Sequence, residues 1–401
     1  MHAIDAISES HQLIRFEQIA RLMSVSVRAI YHLACILCIW IILTPSASLS
    51  AETTTGNESL DTKIGQMIMI GFRGLSVDET SPVIVDIQKR HIGGVILFDY
   101  DVPSKSPVRN IESPPQLKSL IEALREASSI PLFIAIDQEG GRVSRLKEKF
   151  GFPPTVSEQY LGSTDNCDVT RQHAERTART LADLGINVNF APVVDLDRNP
   201  GNPVIGKLER SFSSDPNTVV KHSIICIEML HKHGILSAIK HFPGHGSSSA
   251  DSHKGFVDVT ESWSADELKP FDAIIQSGIC DMVMTAHIFN ARLDPLWPAT
   301  LSHTMIDGIL RNDMGFDGVV VSDDLQMDAI RSFYGLEQAI TMAINAGCDM
   351  LVFANNSVFD DDIAERATGM IKKLVAAGKI PIERIDESYR RIMKLKKRLK
   401  R

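Results

Sequence analysis

The chain has 401 residues, 44% of them hydrophobic, and a formal net charge of −8 at pH 7. This composition is typical of a globular protein, and the length allows one large domain or two to three small ones. The only basic block is the short C-terminal cluster from Lys394 to Arg401, which we interpret as the solvated face of a final helix. The negative charge and the short basic block argue against nucleic acid as the main partner.

The N-terminal residues have the order of an export signal. Residues 29–44 are nearly all apolar, Arg28 precedes them, and small residues follow at positions 45–51. This order predicts a signal peptide over residues 1–51, cleaved near Ser50 or Ala51, with Met23 as an alternative start. The apolar run is short for a spanning helix, which needs about 20 residues, so an uncleaved anchor is the alternative. We therefore expect an exported protein, periplasmic or extracellular, that touches a membrane only if this segment is retained.

A polar linker at residues 52–60 leads into a regular alternation of short apolar segments and amphipathic helical segments. Such an alternation indicates a parallel sheet covered on both faces. Eight units in about 300 residues favour a closed (β/α)8 TIM barrel, so we predict one α/β catalytic domain over residues 61–401. The predicted strands are Ile64–Phe72, Gly93–Phe98, Leu132–Asp137, Ile186–Leu196, Ile235–His241, Met282–His287, Gly318–Asp323 and Asp349–Ala354. The first is the least regular, because Leu60–Met69 also fits a helix.

The helices between these strands end in a repeated way, with glycine just past the helix, where a left-handed conformation is needed. The segments Cys280-Asp281-Met282 and Cys348-Asp349-Met350 are almost copies, as expected of repeated βα units. The cysteines after residue 51 show no metal-binding spacing, and their pairing stays open: Cys167, Cys226, Cys280 and Cys348. The predicted helices are Leu117–Glu126, Val169–Leu184, Val219–His233, Ala265–Gln276, Met305–Asn312, Leu336–Ala346 and Ile382 to about Leu399.

Polar residues stand at the C-terminal ends of several strands, where the chemistry of a barrel is found. Asp137 ends strand three, and Arg145 follows two glycines further on; this pair could bind sugar hydroxyls or form a structural ion pair. Arg210, in the loop after strand four, could reach the site or lie on the surface. His287 ends strand six and could be a rim histidine. At the end of strand seven, one of the adjacent Asp323 and Asp324 should face the barrel mouth, and the other should pack sideways or cap a helix.

The loop after strand five has the richest chemistry. Lys240 and His241 end the strand, glycines and serines follow, and the loop then reads Asp251-Ser252-His253. A carboxylate two residues before a histidine can accept its ring N–H, fix the tautomer and raise the proton affinity of the other nitrogen. Such an imidazole is suited to giving and taking a proton near neutrality. In isolation the same Asp-x-His pattern is typical of a surface loop.

Four motifs together resemble glycoside hydrolase family 3 β-N-acetylglucosaminidases, in the family's order across roughly residues 60–360. They are Asp-Gln-Glu-Gly-Gly-Arg-Val from Asp137, Glu-Arg-Ser-Phe from Glu209, Lys-His-Phe-Pro-Gly-His-Gly from Lys240, and Ser-Asp-Asp-Leu from Ser322. The resemblance implies a TIM barrel with a mobile loop that carries an Asp-His acid/base pair. It makes Asp323 the nucleophile, His253 the general acid/base and Asp251 its orienting partner. It also assigns sugar binding to Asp137, Arg145, Arg210, Lys240 and His241.

The function implied is that of a retaining exo-β-N-acetylglucosaminidase without metal or cofactor. The implied substrate is a GlcNAc-terminated peptidoglycan fragment, such as a muropeptide. The predicted export leader departs from the cytoplasmic members of the family, so chitooligosaccharides are an alternative. We expect a monomer, although the sequence carries no signal of oligomeric state.

Three other functions compete with this interpretation. A β-glucosidase or a GlcNAc phosphorylase could use the same site, the latter with phosphate in place of water. A zinc hydrolase could use His241, His245, Asp251 and His253, but their spacing fits no standard pattern. A non-catalytic protein that binds cell-wall sugars is the third alternative.

Overall fold

A computed structural model describes residues 58–399. The predicted signal peptide and most of the predicted linker lie outside this range, so those boundaries stay predictions. Eight parallel strands close into a barrel in which each strand pairs with the next and the last pairs with the first. The predicted (β/α)8 fold is therefore confirmed. The strands are β1 Ile68–Gly71, β2 Gly94–Leu97, β3 Phe133–Ile136, β4 Val188–Asn189, β5 Leu236–Phe242, β6 Met282–Thr285, β7 Val319–Asp324 and β8 Met350–Phe353.

Helices surround this barrel, and no helix within residues 58–399 is long and apolar enough to span a bilayer. The sequence did not predict α2, α4 or α9. A π-helix, Thr304–Asp313, stands where the helix Met305–Asn312 was predicted. The α-helices are α1 Leu60–Gln66, α2 Pro82–Arg90, α3 Pro114–Glu126, α4 Glu158–Thr164, α5 Cys167–Leu184, α6 Pro216–Lys232, α7 Lys269–Gln276, α8 Asp328–Ala346, α9 Ile363–Ala376 and α10 Ile382–Lys396.

Two predicted strands are wrong in extent. The first half of Ile64–Phe72 belongs to α1, the alternative that its pattern allowed, and only Ile68–Gly71 joins the sheet. The predicted strand Ile186–Leu196 contributes only Val188–Asn189. Pro192 lies inside the remainder, and a proline has no N–H to donate to a neighbouring strand. The chain after Asn189 therefore leaves the regular strand, keeps one isolated parallel bridge from Val193 to Lys240, and builds part of the barrel mouth.

The repeated Cys-Asp-Met segments stabilise the bottom of the barrel, where the N-terminal ends of the strands lie. Asp281 and Asp349 stand just before β6 and β8 and are buried. Each accepts a backbone N–H from the preceding strand, from Ser237 at 2.9 Å and from Val320 at 3.0 Å. Asp281 also pairs with one arginine, Arg398, and Asp349 pairs with three. The repeat is thus structural, as its sequence indicated. The four cysteines of the described range are unpaired.

Asp349 carries the denser of the two clusters. Its carboxylate bonds to Arg311 at 2.5 Å, to Arg384 at 2.7 Å and to Ser388 at 2.9 Å, and Arg391 lies at 3.4 Å. Burial alone would raise the pKa of Asp349, but the three arginines hold it below its usual value. Since Arg384, Ser388 and Arg391 belong to α10, this carboxylate attaches the last helix to the barrel.

The substitution Asp349→Ala should lower the free energy of unfolding by about 3–5 kcal/mol, because it breaks the cluster and removes the carboxylate that pairs with the largely buried Arg311. Urea unfolding followed by circular dichroism measures the loss. The matched control is Asp317→Ala, which removes a 59% exposed partner of Arg391 and Lys394 and should cost about 0–1 kcal/mol. Equal losses in the two variants would contradict a special role for the buried carboxylate.

Candidate active site

An open cavity of about 1180 Å³ lies at the C-terminal ends of the strands. The structure brings every predicted site residue to this one cavity, although the residues come from several different strand ends and loops. The assignment of chemical roles to them stays a prediction. The eight predicted residues that line it are Asp137, Arg145, Arg210, Lys240, His241, Asp251, His253 and Asp323.

One wall of the cavity is a chain of alternating charges. The ammonium of Lys240, 2% exposed, lies 2.8 Å from Asp137 and 2.6 Å from Glu139. Arg145 pairs with Asp137 at 3.2 Å. Arg210 donates two hydrogen bonds to the carboxylate oxygens of Glu139, at 2.7 and 2.8 Å. Arg210 is therefore not a surface residue. Glu139 was missed as a site residue even though it stands inside a quoted motif, because only the structure shows what it contacts.

These contacts keep the carboxylates of this wall ionised. Burial alone would raise the pKa of Asp137, but Lys240 and Arg145 hold it well below its usual value. Arg210 and Lys240 lower the pKa of Glu139 in the same way, against burial. Within residues 58–399 the buried Nε of Arg145 has no hydrogen-bond partner. The wall therefore presents to a polyhydroxylated ligand charged groups that hold one another in place, while this Nε lies beneath the accessible surface.

Strand β5 presents two successive residues to the cavity. Side chains of a regular strand alternate between its two faces, yet Lys240 and His241 both line the cavity. The register with β6 shifts between Lys240 and Phe242, which accounts for this departure from alternation. The expectation that both side chains reach the site is thus met by an irregular strand end.

His241 is oriented by a residue that the sequence did not single out. Its Nδ1 lies 2.6 Å from Asp195, and its Nε2 lies 3.2 Å from Arg210. Arginine can only donate, so Nε2 accepts and Nδ1–H donates to Asp195. Asp195 also accepts the backbone N–H groups of His241 at 3.2 Å and His245 at 2.7 Å. One fully buried carboxylate thus fixes both the ring and the backbone at the end of β5.

The adjacent carboxylates of β7 separate as expected. Asp324 packs sideways and accepts the backbone N–H groups of Gln326 and Ala354, each at 3.0 Å. Burial raises the pKa of Asp324 to about 6. Burial would also raise the pKa of Asp323, but the imidazoles of His287 and His241 help to lower it. Asp323 is therefore the more acidic member of the pair.

His287 supports the end of β7 and does not line the cavity. Its Nε2 lies 2.9 Å from the carbonyl oxygen of Asp324, and its Nδ1 lies 2.8 Å from the hydroxyl of Thr300. A carbonyl oxygen only accepts, so Nε2 carries the proton. Burial lowers the pKa of His287. The rim interpretation of this histidine fits the structure.

The loop after β5 carries the Asp251–His253 pair. Asp251 accepts both the ring Nδ1–H of His253 at 2.8 Å and its backbone N–H at 2.9 Å. The hydrogen bond from His253 lowers the pKa of Asp251 to about 2. The walls of the cavity mouth remove water from His253 and lower its pKa, but Asp251 and the charge of Asp323 raise it above the usual value. The imidazole itself is 59% exposed.

The stem of this loop is clamped by the segment before α7. The buried carboxylate of Glu267 accepts the backbone N–H of Gly246 at 3.0 Å, and Trp263 donates to the carbonyl of Pro243 at 3.1 Å. Burial raises the pKa of Glu267 to about 7. A Cβ at Gly244 would lie 2.5 Å from the Cβ of Glu267. The glycines of the stem therefore allow close packing in this conformation, and the exposed part of the loop begins only at Ser249.

The alternative zinc site is not assembled in this conformation. Within the described range, no three His, Cys, Asp or Glu side chains are grouped so as to hold a metal ion. His241 bonds to Asp195, His253 bonds to Asp251, and Nε2 of His245 lies 3.3 Å from the hydroxyl of Ser252.

Comparison with known proteins identifies relatives over most of the chain. The pattern of the glycosyl hydrolase family 3 N terminal domain matches residues 59–395. The chain is 34% identical over 392 residues to Beta-hexosaminidase A of Pseudoalteromonas piscicida, which covers 87% of this chain and 63% of the relative. It is 37% identical over 294 residues to the Beta-hexosaminidase of Tolumonas auensis, which covers 72% of this chain and 83% of the relative.

Solved structures agree with these sequence relatives. A glycoside hydrolase family 3 beta-N-acetylglucosaminidase from Paenibacillus sp. str. FPU-7 has a TM-score of 0.77 and 35% identity, covering 85% of this chain and 62% of that one. The Beta-N-acetylhexosaminidase from Beutenbergia cavernae has a TM-score of 0.76 and 27% identity, covering 85% of this chain and 99% of that one. The chain thus spans less than two thirds of the Pseudoalteromonas and Paenibacillus proteins and nearly all of the Beutenbergia protein.

The substitution Asp251→Asn should lower the pKa of His253, because a neutral amide cannot stabilise the imidazolium as a carboxylate does. At a fixed pH near neutrality, a smaller fraction of His253 would then be protonated. A pH titration of the histidine ring resonances by NMR measures this. Asp258→Asn, at an exposed carboxylate near the end of the same loop, is the control and should leave the titration of His253 unchanged. An unchanged pKa in Asp251→Asn would contradict the coupling.

Proposed function

The chain belongs to glycosyl hydrolase family 3, as its four sequence motifs predicted, and we propose that it is a retaining exo-β-N-acetylglucosaminidase. Family membership makes it a glycoside hydrolase of the β-hexosaminidase type. The proposed reaction removes a terminal, non-reducing β-linked GlcNAc. The observation that carries the proposal is the meeting of an ionised Asp323 and the His253–Asp251 pair on one cavity, beside the wall of alternating charges.

In the first step, Asp323 attacks the anomeric carbon, and a bond forms between its carboxylate oxygen and that carbon. The bond from the anomeric carbon to the leaving oxygen breaks, and the leaving oxygen takes a proton from His253. The raised pKa of His253 supports this role, because it keeps more of the imidazole protonated near neutrality. Asp251 stabilises the protonated ring and fixes its orientation.

In the second step, water attacks the anomeric carbon and the glycosyl bond to Asp323 breaks. The now neutral His253 accepts the proton of the water, and both residues return to their starting states. Retaining glycosidases usually pair two carboxylates, whereas a histidine takes the second place here. A neutral histidine base avoids a second full negative charge beside the nucleophile.

The cleaved sugar is proposed to bind against the charged wall. Asp137 accepts hydroxyl hydrogens, and Arg145, Lys240 and Arg210 donate to hydroxyl oxygens. The ring of His241 lies next to Arg210 and lines the same cavity. Because these groups already hold one another, the sugar meets donors and acceptors that are in place before it binds. This preorganisation favours one orientation of the sugar, with its anomeric carbon toward Asp323.

We further propose peptidoglycan fragments with terminal GlcNAc as the substrate, acted on outside the cytoplasm. The predicted export signal supports the location, and chitooligosaccharides are the alternative substrate. A phosphorylase at the same site is the competing reaction, because a neutral His253 repels phosphate less than a carboxylate would. A β-glucosidase is the competing specificity, because it needs no room for the acetamido group.

Two substitutions separate the nucleophile from the acid. Asp323→Asn should abolish turnover of every substrate, because no glycosyl-enzyme can form. His253→Ala should lower kcat/KM on a GlcNAc disaccharide by about 10²–10⁴-fold, the usual contribution of a general acid, and much less on an aryl glycoside whose leaving group needs no proton. Steady-state kinetics on both substrates measure this.

The control for these variants is His303→Ala, which removes a 71% exposed histidine outside the cavity and should keep full activity. If His253→Ala lost the same factor on both substrates, His253 would not be the acid.

The substrate itself is tested with aryl β-GlcNAc and aryl β-glucoside, each with and without added phosphate. Both the full chain and the chain without residues 1–51 should prefer the GlcNAc substrate and show no dependence on phosphate. Initial rates and identification of the released sugar by mass spectrometry give the answer. A preference for glucoside, or release of a sugar phosphate, would overturn the proposed reaction and leave the site in place.

A further inference from the structure

Three phenylalanines form an exposed cluster, here called the aromatic rim: Phe256, Phe289 and Phe333. The ring centroid of Phe256 lies 5.4 Å from that of Phe289 and 5.6 Å from that of Phe333. Phe256 is 43% exposed and Phe333 is 58% exposed. The three residues come from the segments that follow β5, β6 and β7, so the aromatic rim lies at the same end of the barrel as the cavity.

The aromatic rim lies near the segment that carries the acid, although none of its three rings lines the cavity itself. Phe256 follows His253 by three residues, which places the two Cα atoms within about 11 Å of each other. Phe289 lies two residues after His287, which bonds to the carbonyl of Asp324. Phe333 lies on α8, which begins just after the cavity-lining residue Met327. The aromatic rim is therefore close along the chain to the acid and to the residues that follow the nucleophile's strand.

The position of Phe256 is fixed by backbone pairing next to it. The N–H of Phe289 donates to the carbonyl of Val257 at 2.8 Å, and the N–H of Val259 donates to the carbonyl of Phe289 at 2.9 Å. The end of the loop after β5 is thus held against the segment after β6. The rings stay together on a defined surface and are not the scattered apolar residues found on any protein.

Exposure of this size is uncommon in the described part of the chain. Only seven large hydrophobic side chains are exposed within residues 58–399, and two of them are the outer members of the aromatic rim. Single exposed apolar residues need no explanation, but a contiguous patch next to a binding cavity indicates an interaction site. A ligand bound in the cavity would have to extend over this patch in order to cover it.

The proposed reaction identifies that part. A general acid has to touch the oxygen that links the cleaved sugar to the leaving group, so the leaving group lies beside His253. The cleaved sugar lies on the other side of that oxygen, against the charged wall of Asp137 and Lys240. A pyranose leaving group presents a face of C–H groups, which packs well on aromatic rings. The aromatic rim carries no charge and so differs from the wall that meets the cleaved sugar.

We propose that the aromatic rim is a binding subsite for a pyranose ring on the reducing side of the cleaved bond. The inference rests on the proposed function, which places the leaving group beside His253. The occupant is a sugar of the substrate itself, which reaches the rim by continuing from the cavity. Phe256 and Phe333 stack on its C–H face, and Phe289 supports Phe256 from behind.

The test uses the full chain with Asp323→Asn, so that saccharides bind without being cleaved, and measures affinity by calorimetry. The probes are the β-linked GlcNAc trisaccharide, which reaches the aromatic rim, and GlcNAc alone, which does not. Adding Phe333→Ala should weaken binding of the trisaccharide about three- to tenfold, the range of one aromatic contact, and leave binding of GlcNAc unchanged. Phe333→Tyr should restore the affinity, because it keeps the ring.

The matched control is Leu296→Ala, which removes another exposed apolar side chain from the loop after β6, outside the aromatic rim. It should change neither affinity. Unchanged trisaccharide binding in Phe333→Ala, or equal losses for both probes, would overturn the proposal, as would a failure of the trisaccharide to bind at all. The proposed function is judged separately, from hydrolysis by the enzyme that retains Asp323: bound but uncleaved trisaccharide would refute the reaction and keep the subsite.

Discussion

The buried ammonium of Lys240 is the interaction on which the geometry of the cavity depends. A charge that is almost fully removed from water is tolerated only when it is paired and hydrogen-bonded, and Asp137 and Glu139 supply that pairing. Both carboxylates are then tied to arginines, Arg145 and Arg210. Each charge stabilises its neighbours, so removal of any one leaves others buried without compensation. The wall is therefore rigid for electrostatic reasons, even though its members come from several different strand ends and loops.

The two ends of the barrel use ion pairs for different purposes. At the bottom, Asp349 is fully buried among its largely buried arginines, and the cluster holds α10 in place. At the top, the charges around Lys240 border an open cavity, and the Nε of Arg145 lacks a partner within the described residues. The same chemistry thus serves stability where it is enclosed and recognition where it faces a ligand. This division matches the general placement of function at the C-terminal face of TIM barrels.

Much of this could be predicted from the sequence, for identifiable reasons. The barrel follows from the alternation of apolar strands and helices. Five of the eight site residues lie within the four motifs, and Arg145, Asp251 and His253 stand a few residues beyond them. Asp195 and Glu267 were missed because each acts on groups distant in the sequence, His241 in one case and Gly246 in the other. The length of β4 was overestimated because its apolar run continues past Asn189, where only an isolated bridge from Val193 to Lys240 remains. Hydrophobic periodicity in the sequence reports neither contacts between distant residues nor irregular strand ends.

The loop that carries His253 is held at both ends, by Glu267 before the acid and by Phe289 after it. The wall around Lys240 belongs to other segments, at the ends of β3, β4 and β5. In the proposed reaction the two halves of a substrate are therefore recognised by different parts of the chain. Substitutions in residues 249–256 can alter the preference for the leaving group without altering the preference for the sugar that is released. Specificity for the leaving group can therefore evolve through changes in this loop alone, while the barrel keeps its specificity for the cleaved sugar.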